Sequence, residues 1–365
     1  MNTRAQHRGG KGIKGAKLRD DDVVDHFFLT STHNWLLFFT NKGRVYRLKA
    51  YELPEGSRDS KGQHVANLLQ FTPDESIQAV LSIPNYEVAD YLVLATRSGK
   101  VKKTRLSEYD SPRQGGLIAV RLMQDESGET TDEVIGAALC NADDDIILVS
   151  KLGMSLKFRA DDEQLRPMGR QTAGVQGMKF RAEDELLAMD VIWGDESKDL
   201  LVVTNQGFAK RTALSEYRLQ GRNGFGVKAV QLTEERGTLV GAVVVTEEDQ
   251  IMAIMKSGKV IRSNVSEVKL TGRTTQGVTL AKPDAGDEII SIARNAETED
   301  EADGETTVTE SSAGSTETQP AEGQPVFEER SEDGMPVIEE ESAAIEETQQ
   351  GDNGESGESA ENDEE

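Results

Sequence analysis

Hydrophobic positions fall into short continuous runs that recur five times, each followed by a Gly turn and a strand carrying basic residues. The runs start at Trp35, Tyr91, Asp145, Asp199 and Gln250, and their turn glycines are Gly43, Gly99, Gly153, Gly207 and Gly258. Spacings between these glycines are 56, 54, 54 and 51 residues. Runs of β-prone residues meeting at Gly predict hairpins, because Gly supplies the positive φ of a tight turn. After each hairpin comes an Arg shortly before a second Gly: Arg58/Gly62, Arg113/Gly116, Arg170/Gly174, Arg222/Gly226 and Arg273/Gly277. An alternating strand follows that Gly, and a further apolar segment closes each unit: 76–83, 133–139, 186–192, 238–245 and 288–293. Four strands per unit at this period predict an all-β array of blades around an axis.

The N-terminus carries only the second half of a unit. Arg8/Gly12 matches the Arg/Gly pair and Phe27–Thr30 the closing strand, but counting back for a turn Gly overshoots Met1. Six blades are therefore expected, the first without its opening hairpin, and the chain is expected to begin inside a larger protein's repeat array.

Charge divides the chain in two. The net charge is −25, yet residues 296–365 hold 25 acidic side chains against the single base Arg330, leaving 1–295 almost neutral. The expected organisation is a β-rich domain over 1–295 and a disordered acidic tail over 296–365, whose composition offers too little apolar surface to offset ordering entropy. No run of 18 apolar residues occurs and the first residues lack an apolar stretch, so neither a membrane span nor a secretory signal is expected. Cys140, the sole cysteine, follows an apolar run and reads as core filler in a reducing compartment.

Candidate chemistry lies in the cations. Residues 1–18 contain Arg4, Arg8, Lys11, Lys14 and Lys17 and no acid. The fourth residue after the turn Gly is basic in all five units: Arg47, Lys103, Lys157, Arg211 (preceded by Lys210) and Arg262. With Arg58, Arg113, Arg170, Arg222 and Arg273, each blade offers at least two cations, a stripe suited to a bent phosphate backbone. No recognition helix or zinc finger is evident, so duplex DNA is expected to be bound through its backbone and shape. In Gln6-His7-Arg8-Gly9-Gly10-Lys11-Gly12 the glycines let peptide N–H groups approach phosphates closely. Gly10–Gly15 also fits GxGxxG, but the strand and helix that fingerprint needs are missing, and no phosphate-loop motif GxxxxGK[ST] occurs. Tyr109 and Tyr217 share one repeat position, which speaks for blade structure over a nucleophile, and the four histidines show no ligand spacing. Neither a cofactor nor a metal site is expected.

The seven residues Gln6 to Gly12 resemble the box that marks the C-terminal domain of the DNA gyrase A subunit, with His7 in place of a usual Arg. Repeats such as Gly207–Tyr217 resemble that domain's blades, and the likeness covers roughly residues 4–295. It implies a six-bladed β-pinwheel whose neighbouring blades exchange strands. It also implies wrapping of DNA around a basic rim, in support of negative supercoiling, with Gln6 to Gly12 as the determinant of wrapping. Catalytic tyrosine, metal and ATPase parts would then lie elsewhere in an A2B2 holoenzyme, with the B subunit plus the rest of the A subunit, in the cytoplasm at the nucleoid. The isolated domain is expected to be a monomer, and its acidic tail to compete with DNA for the rim. His7, with a reference pKa of about 6.5, makes the box weaker and pH-sensitive. Two alternatives stand beside this reading: the related domain of the topoisomerase IV A-type subunit, and a propeller that binds protein partners.

Overall fold

Apolar runs without alternation form strands covered on both faces, and that burial builds the molecule. The computed structural model describes residues 30–56, 62–194 and 197–295, together with the backbone at 13–14. In chain order, β1 (Ile13–Lys14) precedes the hairpin β2 (Trp35–Thr40) and β3 (Arg44–Lys49), then β4 (Ile77–Ile83). The next hairpin is β5 (Tyr91–Thr96) and β6 (Lys100–Arg105), with β7 (Leu117–Ile118) and β8 (Val134–Cys140) after it. There follow β9 (Asp145–Ser150), β10 (Met154–Arg159), β11 (Val175–Gln176) and β12 (Leu186–Ile192). The fourth repeat gives β13 (Asp199–Thr204), β14 (Phe208–Ala213), β15 (Val227–Lys228) and β16 (Leu239–Val245). The last gives β17 (Gln250–Met255), β18 (Lys259–Asn264), β19 (Val278–Thr279) and β20 (Ile289–Asn295).

These strands make five antiparallel four-stranded sheets, ordered β4-β2-β3-β7, β8-β5-β6-β11, β12-β9-β10-β15, β16-β13-β14-β19 and β20-β17-β18-β1. In each, the long closing strand flanks the hairpin on one side, and successive closing strands β4, β8, β12, β16 and β20 pack on one another. A two-residue strand from the following repeat fills the opposite edge, so neighbouring blades exchange strands. The exchange is fixed at the turn: the carbonyls of Gly43, Gly99, Gly153 and Gly207 accept from the backbone N–H groups of Ala119, Gly177, Ala229 and Leu280, each at 2.8 Å.

The expectation of six blades is corrected here: five four-stranded sheets are present among the described residues. The N-terminal half-unit donates Ile13 and Lys14 to the last hairpin, opposite Val260 and Lys259. A half-unit without a hairpin thus completes another blade's sheet.

Apolar side chains alternate between the two crevices beside each sheet. On β5, Leu92 and Leu94 join the core with Leu37 and Phe39, while Val93 and Ala95 join the core with Ile146 and Leu148. The pattern recurs as Ile147 and Val149 meet Leu200 and Val202, and Leu201 and Val203 meet Ile251 and Ala253. Burial on both faces is why these strands read as unbroken apolar runs. Two glycines show how closely the backbones approach. Gly99 has φ +83° and a Cβ there would lie 2.5 Å from the Met178 carbonyl oxygen; Gly174 has φ +80° and its Cβ would lie 2.6 Å from that of Val101. Cys140 is buried at the end of β8, which pushes its thiol up to about 12.

Candidate nucleic-acid interface

The five cations placed four residues after the turn Gly do occupy one blade position, but the structure corrects the expectation that they line an outer track. Lys103 is wholly buried, Lys157 is 3% exposed and Arg211 5% exposed. The Lys103 ammonium crosses to the next blade, donating to the Ala160 carbonyl at 2.5 Å and to Asp162 Oδ1 at 3.1 Å. Lys157 makes the equivalent crossing to the Leu214 carbonyl at 3.4 Å. Arg211 lies between Asp199 and Glu247, 3.4 and 3.6 Å away. Arg47 donates to Asp110 at 2.6 Å and to the Tyr86 hydroxyl at 3.0 Å, with its guanidinium 4.4 Å from the Trp35 ring. Arg262 is half-buried and donates to the Gln250 side chain. Arg47, Lys103 and Lys157 are struts between blades, whereas Arg211 and Arg262 also meet Asp199 and Gln250 on the paired strand of their own sheets; the buried lysines satisfy carbonyls that would otherwise lack a partner in a crevice.

Their backbones have a second task. Pro167, Leu219 and Leu270 form parallel bridges to Lys103, Lys157 and Arg211 of the preceding blade. The next residues, Met168, Gln220 and Thr271, donate their N–H groups to the carbonyls of those same cations at 2.7, 2.8 and 2.9 Å. This docking presents the residue before each bridge in the same way on three successive blades. Those residues are Arg166, Arg218 and Lys269, and all three are exposed. In the preceding repeat the matching residue is Asp110.

Four residues further on stand Arg170, Arg222 and Arg273, half-buried at the rim. Each guanidinium donates to a carbonyl of a two-residue outer strand: Arg170 to Ile118 of β7 at 3.1 Å, Arg222 to Gln176 of β11 at 3.1 Å and Arg273 to Lys228 of β15 at 3.2 Å. Arg113 is exposed. A second exposed series, Arg121, Lys179 and Lys282, falls five residues after Gly116, Gly174 and Gly277. The Lys14 backbone lies in the last sheet, paired with Lys259. Gln6, His7, Arg8, Gly9, Gly10, Lys11, Gly12, Lys17 and Arg58 lie outside the described residues, as does the tail 296–365.

Aligning the repeats on the turn Gly misses the exposed cations Arg166, Arg218 and Lys269. Aligning them on the Arg/Gly pair instead reveals the series, next to the buried Leu165, Tyr217 and Val268. Lys210, a candidate beside Arg211, is buried and donates to the carbonyls of Ala229 and Arg273. Tyr109 and Tyr217 are buried at one repeat position, where loss of solvent raises both phenols, Tyr217 up to about 12.

A family profile described as "DNA gyrase C-terminal domain, beta-propeller" matches residues 4–31, 34–84, 90–141, 144–192, 198–246 and 249–295. The chain belongs to that family. Its first matched segment is the N-terminal half-unit, and the other five each hold one of the hairpins. The chain is 54% identical over 324 residues to the DNA gyrase A subunit of Streptomyces coelicolor, covering 88% of this chain and 38% of that relative. It is 54% identical over 299 residues to the DNA gyrase A subunit of Mycolicibacterium smegmatis, covering 82% of this chain and 34% of the relative. The chain thus spans little more than a third of these curated relatives. Among solved structures, a DNA gyrase A C-terminal domain superposes with a TM-score of 0.70 at 26% identity, covering 80% of this chain and 92% of that one. The C-terminal domain of a DNA topoisomerase IV superposes with a TM-score of 0.63 at 26% identity, covering 77% and 85%.

Proposed function

We propose that the β-propeller binds duplex DNA along its rim without reading bases, and bends it in support of negative supercoiling by DNA gyrase. One observation carries this reading: Arg166, Arg218 and Lys269 are exposed at equivalent places on successive blades, each docked by the same backbone bridges, with Arg170, Arg222 and Arg273 beside them. Cations repeated at a blade's spacing suit a polyanion that follows the curve of the array, and phosphate neutralisation releases counterions whatever the sequence. The box Gln6–Gly12 immediately precedes β1 in sequence, and β1 pairs on the outer edge of the last sheet; on this reading the box adds to the same DNA contact. Arg8 and Lys11 then grip phosphate, and His7 adds charge as pH falls through the imidazole range.

On this reading the domain performs no chemistry of its own. Bond breakage and ATP use belong to other parts of an A2B2 enzyme at the nucleoid, built with the B subunit plus the rest of the A subunit. The acidic tail 296–365 competes for the rim from a short tether, which raises its effective concentration. The box distinguishes this reading from a topoisomerase IV domain. A salt-titrated gel shift with linear duplex tests it: binding falls steeply between about 50 and 200 mM salt if six or more phosphates are neutralised. Salt-insensitive binding, or none, would instead favour a protein-binding propeller.

A further inference from the structure

The described rim loops are held in two chemically different ways. For Arg170, Glu108 Oε2 accepts from the backbone N–H at 3.4 Å, while the buried Lys102 ammonium donates to the Arg170 carbonyl and to that of Ala119. For Arg273, Glu216 Oε2 accepts from the N–H at 3.1 Å, while Lys210 donates to the carbonyls of Arg273 and Ala229. The loop between them has Gln164 where the others have Glu, and Leu156 where they have Lys. There Gln164 Oε1 accepts from the Arg222 N–H at 3.1 Å, and the Arg222 guanidinium itself donates to the Gln164 carbonyl. In these three loops acid and lysine occur together and are replaced together. A charged clamp grips the N–H and carbonyl sides of the rim arginine in two blades, whereas in the blade between Gln164 holds the Arg222 N–H and guanidinium.

We propose that Lys102 and Lys210 are positioning residues for the DNA rim: each ammonium fixes the peptide unit of the neighbouring blade's Arg170 or Arg273, so that this arginine and the exposed Arg166 or Lys269 four residues earlier face the phosphates together. The role rests on the rim reading above. An ammonium is needed because each lysine serves two carbonyls in a desolvated place, where an apolar side chain would leave both without a partner. The surroundings also make the grip sensitive to pH. Burial pushes Lys102 down to about 7 and Lys210 down to about 8; Glu108 and Glu216 pull them upward, and Arg170 and Arg273 push them further down. Tyr109 and Tyr217, beside the same Glu and Arg residues, have phenols raised by burial and are neutral across this range. Loss of the proton removes charge assistance from four hydrogen bonds, two in each clamp.

The test measures binding of a linear duplex of mixed sequence by fluorescence anisotropy at fixed ionic strength, from pH 6.5 to 9. It uses the full chain carrying His7→Gln, so that the imidazole does not contribute. Affinity is expected to fall about three- to tenfold across that range. Lys102→Met with Lys210→Met should bind at the weak end and show a flat profile. Lys102→Met should add nothing to the loss caused by Arg166→Ala with Arg170→Ala. A flat profile in the His7→Gln chain overturns the proposal, as does an additive loss when Lys102→Met is placed on the Arg166→Ala, Arg170→Ala chain. If the methionine variants do not fold, the profile of the His7→Gln chain alone decides. Unchanged binding by an Arg170→Ala, Arg273→Ala chain sinks the rim reading itself, whereas additive losses sink only the positioning role.

Discussion

Lys103 and Arg218 carry the same charge in different repeats and have opposite surroundings. Lys103 is wholly buried, with a carbonyl and a carboxylate from the next blade as partners. Arg218 is exposed. Replacing Lys103 by Ala leaves the buried Ala160 carbonyl unpaired and opens a cavity, at a cost of about 2–4 kcal/mol, while the folded fraction should bind duplex within about twofold of the parent. Arg218→Ala should show the reverse: unfolding changed by less than about 0.5 kcal/mol, with a clear loss of affinity. Urea unfolding and a gel shift on the two variants check this pair. The charges were legible in the sequence, but their direction was not. Period-2 reasoning assigns one face of a strand to core and the other to solvent, whereas here both faces meet another sheet. Neighbours Lys102 and Lys103 are therefore both buried, reaching different carbonyls.

At the scale of elements, the five hairpins and the closing strands after them lie within a residue or two of where the apolar runs and turn glycines predict them, while the closing strand expected at Phe27–Thr30 falls almost wholly outside the described residues. Apolar runs need cover on both sides, and the positive φ at Gly43, Gly99, Gly153, Gly207 and Gly258 leaves little choice of turn. Gly174→Ala combines a left-handed backbone with a Cβ 2.6 Å from the Val101 carbonyl oxygen, and should cost about 1–3 kcal/mol in urea unfolding. The two-residue outer strands were harder to place, since each pairs with the hairpin of the repeat before it. Removing residues 1–14 should speed amide exchange along β18, at Lys259 and Val260 first, while β14, covered by β19, keeps its protection. Unchanged exchange on β18 would mean that β1 contributes no lasting pairing. The buried lysines give stability a pH dependence of known sign. With Lys102 at about 7 and Lys210 at about 8 in the fold, the unfolded chain binds more protons above those values. Stability should therefore rise from pH 7 to 9, and Lys102→Met with Lys210→Met should flatten that rise. DNA affinity is expected to move the other way over the same range.

At the scale of the whole molecule, six repeat copies yield five sheets among the described residues because the unit of sequence and the unit of structure are out of step. The half-unit at the N-terminus serves the last blade, which brings the start of the chain beside the end of the array. On the proposed reading Arg166, Arg218 and Lys269 mark a line that DNA follows. Deleting 296–365 should raise duplex affinity at low salt if the tail competes for that line, and gel shifts at several salt concentrations would show no gain if it does not. The most direct test of the rim is the salt dependence of binding by a chain carrying Arg166→Ala, Arg218→Ala and Lys269→Ala. If these three cations each neutralise a phosphate, the slope of log affinity against log salt should fall in magnitude by about 2 to 3. A variant that stays folded and keeps the parent's slope would contradict a DNA path along these blades.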